Sequence, residues 1–486
     1  MTGPPAAPAR PEHSGTRVLR NTLVLAVGRN LIALSRLAIL AIVARSLGTQ
    51  TFGQYALLIA LMLVAEGLLD FGSNAVFVRE VAAQPQRRSH LLRVLAAGRL
   101  LHAPVVWCLL MLAAWALGHD REILQAAAVA GLSLVFLGGV MVFRVIFRTE
   151  LRMEHEIVAE FISVVFMVLA LLVVARQGGG IVALMACHAA SRALFFVLVA
   201  WFGRQAFRFS VAGVTRADLW WSWRHCLSVG LAGSLVMLYD PMDVLLLSRL
   251  GGFDDTARFA AAQRLAWPLL IALAAVGGTL YTVVSAAWPH DLPRLERACQ
   301  RGFDVVIVFG LAVVCAALSG AEALLALIAP ELAAGGPAFG VLVTLCVVKA
   351  ISMTLGPVLL VVGAQRVALG IVGTALLVKI LVSAVVIPRF GFVGLAWSAL
   401  AVETVCVAIP AVWVVSRRAG IRLRYGTALR AVALCVACVL LVRHGPLVPS
   451  LLTAAAAPVL YGVLAWLTGT LRLSELRSLK SPGHAT

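Results

Sequence analysis

Four basic residues stand where hydrocarbon-compatible sequence should run unbroken. Arg36, Arg192, Lys349 and Lys379 each lie about ten to fifteen residues inside a long apolar stretch. A charge that deep costs about 2.5–3.5 kcal/mol on the insertion scale, and its side chain is too short to reach the interface cheaply. Arg29 precedes Arg36 by seven residues, so the two share one helix face about 10 Å apart. His188 and Arg192 share another face at i, i+4. Basic stripes on separate helices suggest a cationic, water-filled cavity. Phosphate or diphosphate is the natural ligand for several guanidinium groups, which grip such oxygens through paired N–H donors. Arg29, Arg36, Arg192, Lys349 and Lys379 are therefore the candidate anion-binding residues. Arg99, Arg144 and Arg264 lie within about five residues of a stretch end and are expected to reach the head groups.

Acids buried in the apolar stretches include Glu66, Asp70, Asp240, Asp243 and Glu403. Asp240 and Asp243 flank Pro241, which removes a backbone hydrogen bond and predicts a kink. Asp70, Asp240, Asp243 and Glu403 are candidates for ion coupling or for pairing with the basic groups. Eight basic residues inside the stretches outnumber these five acids, so pairing with them is not expected to satisfy every basic group. No catalytic motif is present: the chain lacks G-x-S-x-G, H-E-x-x-H and a Walker A loop. Asp254-Asp255 reads as a solvated acidic pair on a short loop. No cofactor, metal site or enzymatic activity is expected. The nine cysteines are scattered and read as small core residues.

These side chains need elements that hold them in a membrane. The 486 residues are 62% hydrophobic and 13% charged, with mean hydropathy +0.98. That excludes a soluble globular domain and a disordered chain. Continuous apolar blocks, rather than alternating ones, exclude a β-barrel. Fourteen spans are expected, at 21–44, 52–72, 94–117, 123–147, 157–175, 180–202, 224–249, 260–285, 303–328, 339–361, 367–388, 391–416, 427–444 and 449–470. With the N-terminus inside, 25 of the 40 basic residues fall on the inner side and 7 on the outer side. Both termini are thus expected in the cytoplasm. The net charge of +18 is explained by this orientation bias and not by nucleic-acid binding. Segments 73–92 and 287–302 are candidate amphipathic helices at the interface.

A weak repeat links Ala44–Ala56 (ARSLGTQTFGQYA) to Ser248–Ala260 (SRLGGFDDTARFA), with Leu47-Gly48 matched to Leu250-Gly251 and one residue inserted. Six spans separate the copies, so the halves are parallel pseudo-repeats. The expected organisation is a cytoplasmic tail at 1–20, an N-lobe of six helices at 21–202 and a cytoplasmic linker at 203–223. A C-lobe of six helices at 224–416, two further helices at 427–470 and a cytoplasmic tail at 471–486 complete it.

Ala44–Ala56 resembles the A-R-x-L-G-x-x-x-F-G-x-Y signature that opens bacterial oligosaccharide flippases. The likeness continues through Leu69-Asp70-Phe71-Gly72, Arg79-Glu80, Asp243–Gly251, Phe259–Leu265 and Pro388–Ala396. The chain thus resembles the Wzx-type polysaccharide branch of the multidrug/oligosaccharidyl-lipid/polysaccharide exporter superfamily. The resemblance implies an all-α polytopic protein of the bacterial inner membrane that moves an undecaprenyl-diphosphate-linked oligosaccharide outward by alternating access. Membrane lipid, and the polymerase and glycosyltransferases of the same pathway, are the implied partners. A cation-coupled multidrug exporter of the same superfamily and a polytopic glycosyltransferase or polymerase are the alternatives. The basic excess argues against the first, and the short outer loops against the second.

Overall fold

The computed structural model describes residues 14–150, 152–444 and 451–470. The tail at 471–486, most of the tail at 1–20 and the side chain of Arg29 lie outside the described residues. No strand occurs among those described. The elements are α1 (Ser14–Asp70), α2 (Ser73–Ala83), α3 (Arg88–Ala116), α4 (Arg121–Thr149), α5 (Met153–Arg176), α6 (Ile181–Gly203), α7 (Arg216–Tyr239) and α8 (Pro241–Leu250). They continue as α9 (Phe253–Ala287), α10 (Leu292–Ala326), α11 (Gly336–Val361), α12 (Gln365–Val402), α13 (Ile409–Ala419), α14 (Gly426–His444) and α15 (Leu451–Leu467). Helices follow from the solvent: in hydrocarbon every backbone N–H and C=O must be satisfied within the segment.

Among the described residues nine helical stretches are long and apolar enough to cross a membrane. Two of them hold a pair of crossings each, divided at Gly48 and at Gly391. Helices α7 and α8 add one crossing bent by 50° at the expected proline. With the shorter apolar helices α14 and α15, the described residues are compatible with the roughly fourteen spans that the sequence predicts. Segment 73–92 does contain a helix, α2, which buries Val76, Phe77 and Val81. Segment 287–302 does not form a separate interfacial helix; from Leu292 it runs straight into α10.

Two units can be described. The first comprises residues 1–42 and 61–234, and the second 43–60 and 235–486. Residues 43–60 group with the second unit. In that unit the two copies of the repeat meet. Gly48 (φ 80°, ψ 170°) and Gly252 (φ 88°, ψ 172°) adopt the same conformation, one that residues with a Cβ rarely take. The structural equivalent of Gly48 is thus Gly252, one residue beyond the Gly251 that sequence matching selects. Thr49 Oγ1 donates to Asp254 Oδ1 at 2.5 Å, and Gly53 leaves no room for a Cβ beside the Phe253 backbone. Asp254 and Asp255 are not loop residues: they form the first turn of α9, where carboxylates favour the positive end of the helix.

The linker ends in a capping box at the start of α7. Thr215 N–H and Oγ1–H donate to Asp218 Oδ2 at 2.9 and 2.7 Å, and Asp218 N–H donates to Thr215 Oγ1 at 3.2 Å. His90 lies 3.1 Å from Asp218 Oδ1. The Thr215 donors, and then His90, lower the Asp218 pKa to about 2. A depressed carboxylate stabilises the fold above its unfolded pKa and loses that contribution as pH falls through its folded one. Amide protection at 215–219 should therefore drop as pH falls from about 4 towards 2, read by hydrogen exchange. In Asp218→Asn that pH dependence should vanish.

Candidate functional site

The first unit gathers a charge cluster from four helices. Arg36 on α1 donates through Nη2 to Glu160 Oε1 on α5 at 2.8 Å. Arg192 on α6 lies 3.6 Å from Glu66 on α1. Arg144 on α4 meets Glu156 on α5 at 2.5 Å. His188, one turn before Arg192, has a buried Nε2 with no hydrogen-bond partner among the described residues and feels the charges of Arg192 and Arg36. The packing that aligns α5 and α6 includes Ser191 Oγ donating to the Ser163 carbonyl at 2.8 Å. The structure thus brings Arg36 and Arg192 into one cluster, each with a glutamate beside it. Among the described residues Arg36 is held by one nitrogen, and its side chain keeps 60% of its exposure.

The partners Glu156 and Glu160 escape the sequence reading because they sit at the uncertain start of the fifth span. Their i, i+4 spacing was the available signal. Arg144 does not reach out to the head groups but pairs inward. Arg264 lies 5.4 Å over the Tyr55 ring and 5.9 Å over that of Phe52. Arg99 departs furthest from expectation: it is 3% exposed and donates through Nη2 to Asp70 at 2.9 Å and to Ser73 Oγ at 2.5 Å.

The second unit holds a tighter cluster around the α7–α8 break. Helix α7 ends at Tyr239 because Pro241 cannot continue the hydrogen-bond ladder. Its last carbonyls carry the negative end of the helix dipole without intrahelical donors. Lys379 on α12 fills that role: its Nζ donates to the Tyr239 carbonyl at 3.0 Å and pairs with Asp243 Oδ2 at 2.8 Å. Lys349 on α11 pairs with Asp240. Both ammonium groups stand over the Tyr239 ring, at 4.2 and 5.0 Å from its centre, where its quadrupole attracts cations. Tyr239 donates its hydroxyl proton to Glu403 Oε2 at 3.0 Å. Glu403 opens a π-helical turn, Glu403–Ala408, a distortion of the kind often found at functional sites. Asp243 Oδ1 is buried without a partner among the described residues.

Every described candidate is therefore placed. Arg36 and Arg192 belong to one cluster, Lys349 and Lys379 to the other. Asp70, Asp240 and Asp243 have basic partners, and Glu403 has Tyr239. Tyr239 was not anticipated, although its place beside the D-P-x-D segment marks it as the last residue before the break.

Residues 18–288 match the family described as polysaccharide biosynthesis protein. No curated protein matches the chain. Among solved structures it is similar to the lipid II flippase MurJ in an inward closed conformation, at 10% identity and TM-score 0.72. That match covers 93% of this chain and 99% of that one. It is also similar to an inward-facing multidrug resistance MATE family transporter of the MOP superfamily, at 16% identity and TM-score 0.65, over 82% and 98% of the two chains. A MOP superfamily transporter from Pyrococcus furiosus gives 17% identity and TM-score 0.58, over 82% and 95%. At such identities the likeness establishes the fold. The family match covers more than half of the sequence, and on that ground the chain belongs to the polysaccharide biosynthesis protein family, built on the all-helical membrane fold that MurJ and the MATE transporters share.

Proposed function

We propose that this protein moves an undecaprenyl-diphosphate-linked oligosaccharide from the cytoplasmic to the outer leaflet of the bacterial inner membrane. Both termini then face the cytoplasm, as the basic residues require. The observation that carries this reading is Arg36. A guanidinium 60% exposed at mid-span is untenable against lipid, so it faces water. It spends one nitrogen on Glu160 and keeps further donors for an incoming diphosphate. Arg192, 3.6 Å from Glu66, is held more loosely still. Substrate phosphate would displace the glutamates and be passed on when alternating access opens the other side. An inside-negative potential favours outward movement of an anion, by about 2.3 kcal/mol per charge per 100 mV. In the second cluster three acids face two ammonium groups, which leaves room for one proton or cation in the cycle. The pathway's polymerase and glycosyltransferases would act before and after this step.

The test uses proteoliposomes carrying a fluorescent polyprenyl-diphosphate oligosaccharide, with accessibility to an external quencher as the readout. Charged hydrogen bonds contribute about 1.5–3 kcal/mol each, so Arg36→Gln with Arg192→Gln should slow translocation at least tenfold to a hundredfold. Arg36→Lys with Arg192→Lys should recover part of the rate, because the charge survives without the planar fork. Wild-type rates in the glutamine variant would remove both arginines from the mechanism.

A further inference from the structure

Away from both charge clusters, a cavity of about 730 Å³ opens where α6 ends and α3 begins. Ser89 and Arg93 line it from the first turns of α3; Arg204, Gln205, Arg208 and Ser210 line it from the segment after α6. Among the described residues its walls hold three guanidinium groups and no carboxylate. The nearby acids are already engaged: Glu150 with Arg88 at 2.6 Å, and Asp218 with His90 and Thr215. Two of the arginines are pre-positioned. Arg93 donates to the Ala212 carbonyl at 2.9 Å, and the Arg204 guanidinium lies 5.1 Å over the Trp201 ring. Trp201, beneath Arg204, and Phe209, between the lining residues Arg208 and Ser210, are exposed at the same place, and tryptophan is enriched at the head-group level of a bilayer.

We infer that this cavity is a binding site for the phosphate of an anionic phospholipid head group. Guanidinium groups at the membrane edge attract anionic lipid, and the hydroxyls of Ser89 and Ser210 with the Gln205 amide offer further donors to phosphate oxygens. The exposed aromatic rings set the depth at which a lipid phosphate, rather than a soluble one, arrives. The site is independent of the transport reading, because neither charge cluster contributes to it.

The experiment measures lipid retention by the full chain in neutral detergent, by native mass spectrometry, with phosphatidylglycerol and phosphatidylcholine as probes. The wild type should retain phosphatidylglycerol preferentially. Arg204→Gln with Arg208→Gln should weaken that retention about thirtyfold, which corresponds to about 1 kcal/mol per arginine. Arg204→Lys with Arg208→Lys should keep most of it. Equal retention of the two lipids, or unchanged retention in the glutamine variant, overturns the proposal. Displacement of the lipid by equimolar inorganic phosphate would show a site for free phosphate instead. Tighter retention of polyprenyl phosphate than of phosphatidylglycerol would assign the cavity to the transport route. Should the glutamine variant not fold, the wild type alone decides: retention of phosphatidylglycerol must weaken as salt rises, and salt-independent retention refutes the site.

Discussion

Replacing Lys379 by methionine should cost the protein about 3–5 kcal/mol of stability, the usual penalty for stranding one partner of a buried ion pair. Lys379 and Asp243 are each 2% exposed, so no water can replace the lost ammonium. The Asp243 carboxylate already has one oxygen without a donor, and the change would leave the other without its 2.8 Å partner. The Tyr239 carbonyl at the end of α7 would lose its 3.0 Å donor in the same step. Removing both charges is different in kind: a buried pair replaced by neutral groups of similar volume is often close to neutral. Lys379→Met with Asp243→Asn should therefore regain most of the loss. Lys349→Met should cost less, because Asp240 keeps a third of its side-chain exposure. Denaturant or thermal unfolding in detergent reads all three. A Lys379→Met protein as stable as wild type would show that the pair is dispensable.

The crossings were legible because apolar length and glycine or proline breaks are local signals. The fourteen spans, the bend at Pro241 and the divisions at Gly48 and Gly391 all follow from residues within one turn of the event. The depth of Arg36, Arg192, Lys349 and Lys379 was legible for the same reason. What these residues touch was not. Arg36 meets Glu160 across 124 positions, and Lys349 meets Asp240 across 109, so each contact depends on helix packing that no local pattern encodes. Counting charges also misleads when partners lie at span ends. Glu156 and Glu160 sit just inside the first turns of α5, and they bring acids to a cluster that seemed short of them. The repeat was visible, yet its register rested on residue identity. The backbone conformation of Gly48 and Gly252 decides the equivalence, and a one-residue insertion hides it.

Arg99 shows where position along a span is a poor guide, and it carries the second large effect. Its nearness to the end of a span predicts an arginine extended to the head groups, but the chain turns back over it. Helix α1 ends at Asp70; Phe71 and Gly72 take positive φ, 39° and 71°, and α2 starts at Ser73. The Phe71 ring fills the space against the Gly230 backbone and lies 5.6 Å from the Trp223 ring, which fixes the turn in place. Arg99 then ties both ends of the turn together, Asp70 on one side and Ser73 on the other. Asn74 adds two donors to Asp70, at 3.3 Å from its N–H and 2.6 Å from Nδ2. Arg99→Met should cost about 2–4 kcal/mol, somewhat below the cost at Lys379, because Asp70 keeps 33% side-chain exposure and the Asn74 donors. Asp70→Asn should cost more than the reverse change, since it leaves a guanidinium, 4% exposed, without its counter-ion. Lysine at position 99 should recover only part, because a single ammonium lacks the fork that reaches two acceptors. The signature separating this clamp from general packing is local: hydrogen exchange at residues 71–76 should rise in Arg99→Met well before the rest of α1 opens. Exchange that rises uniformly, with the turn no more exposed than the helices, would mean that Arg99 fills space rather than holding the junction.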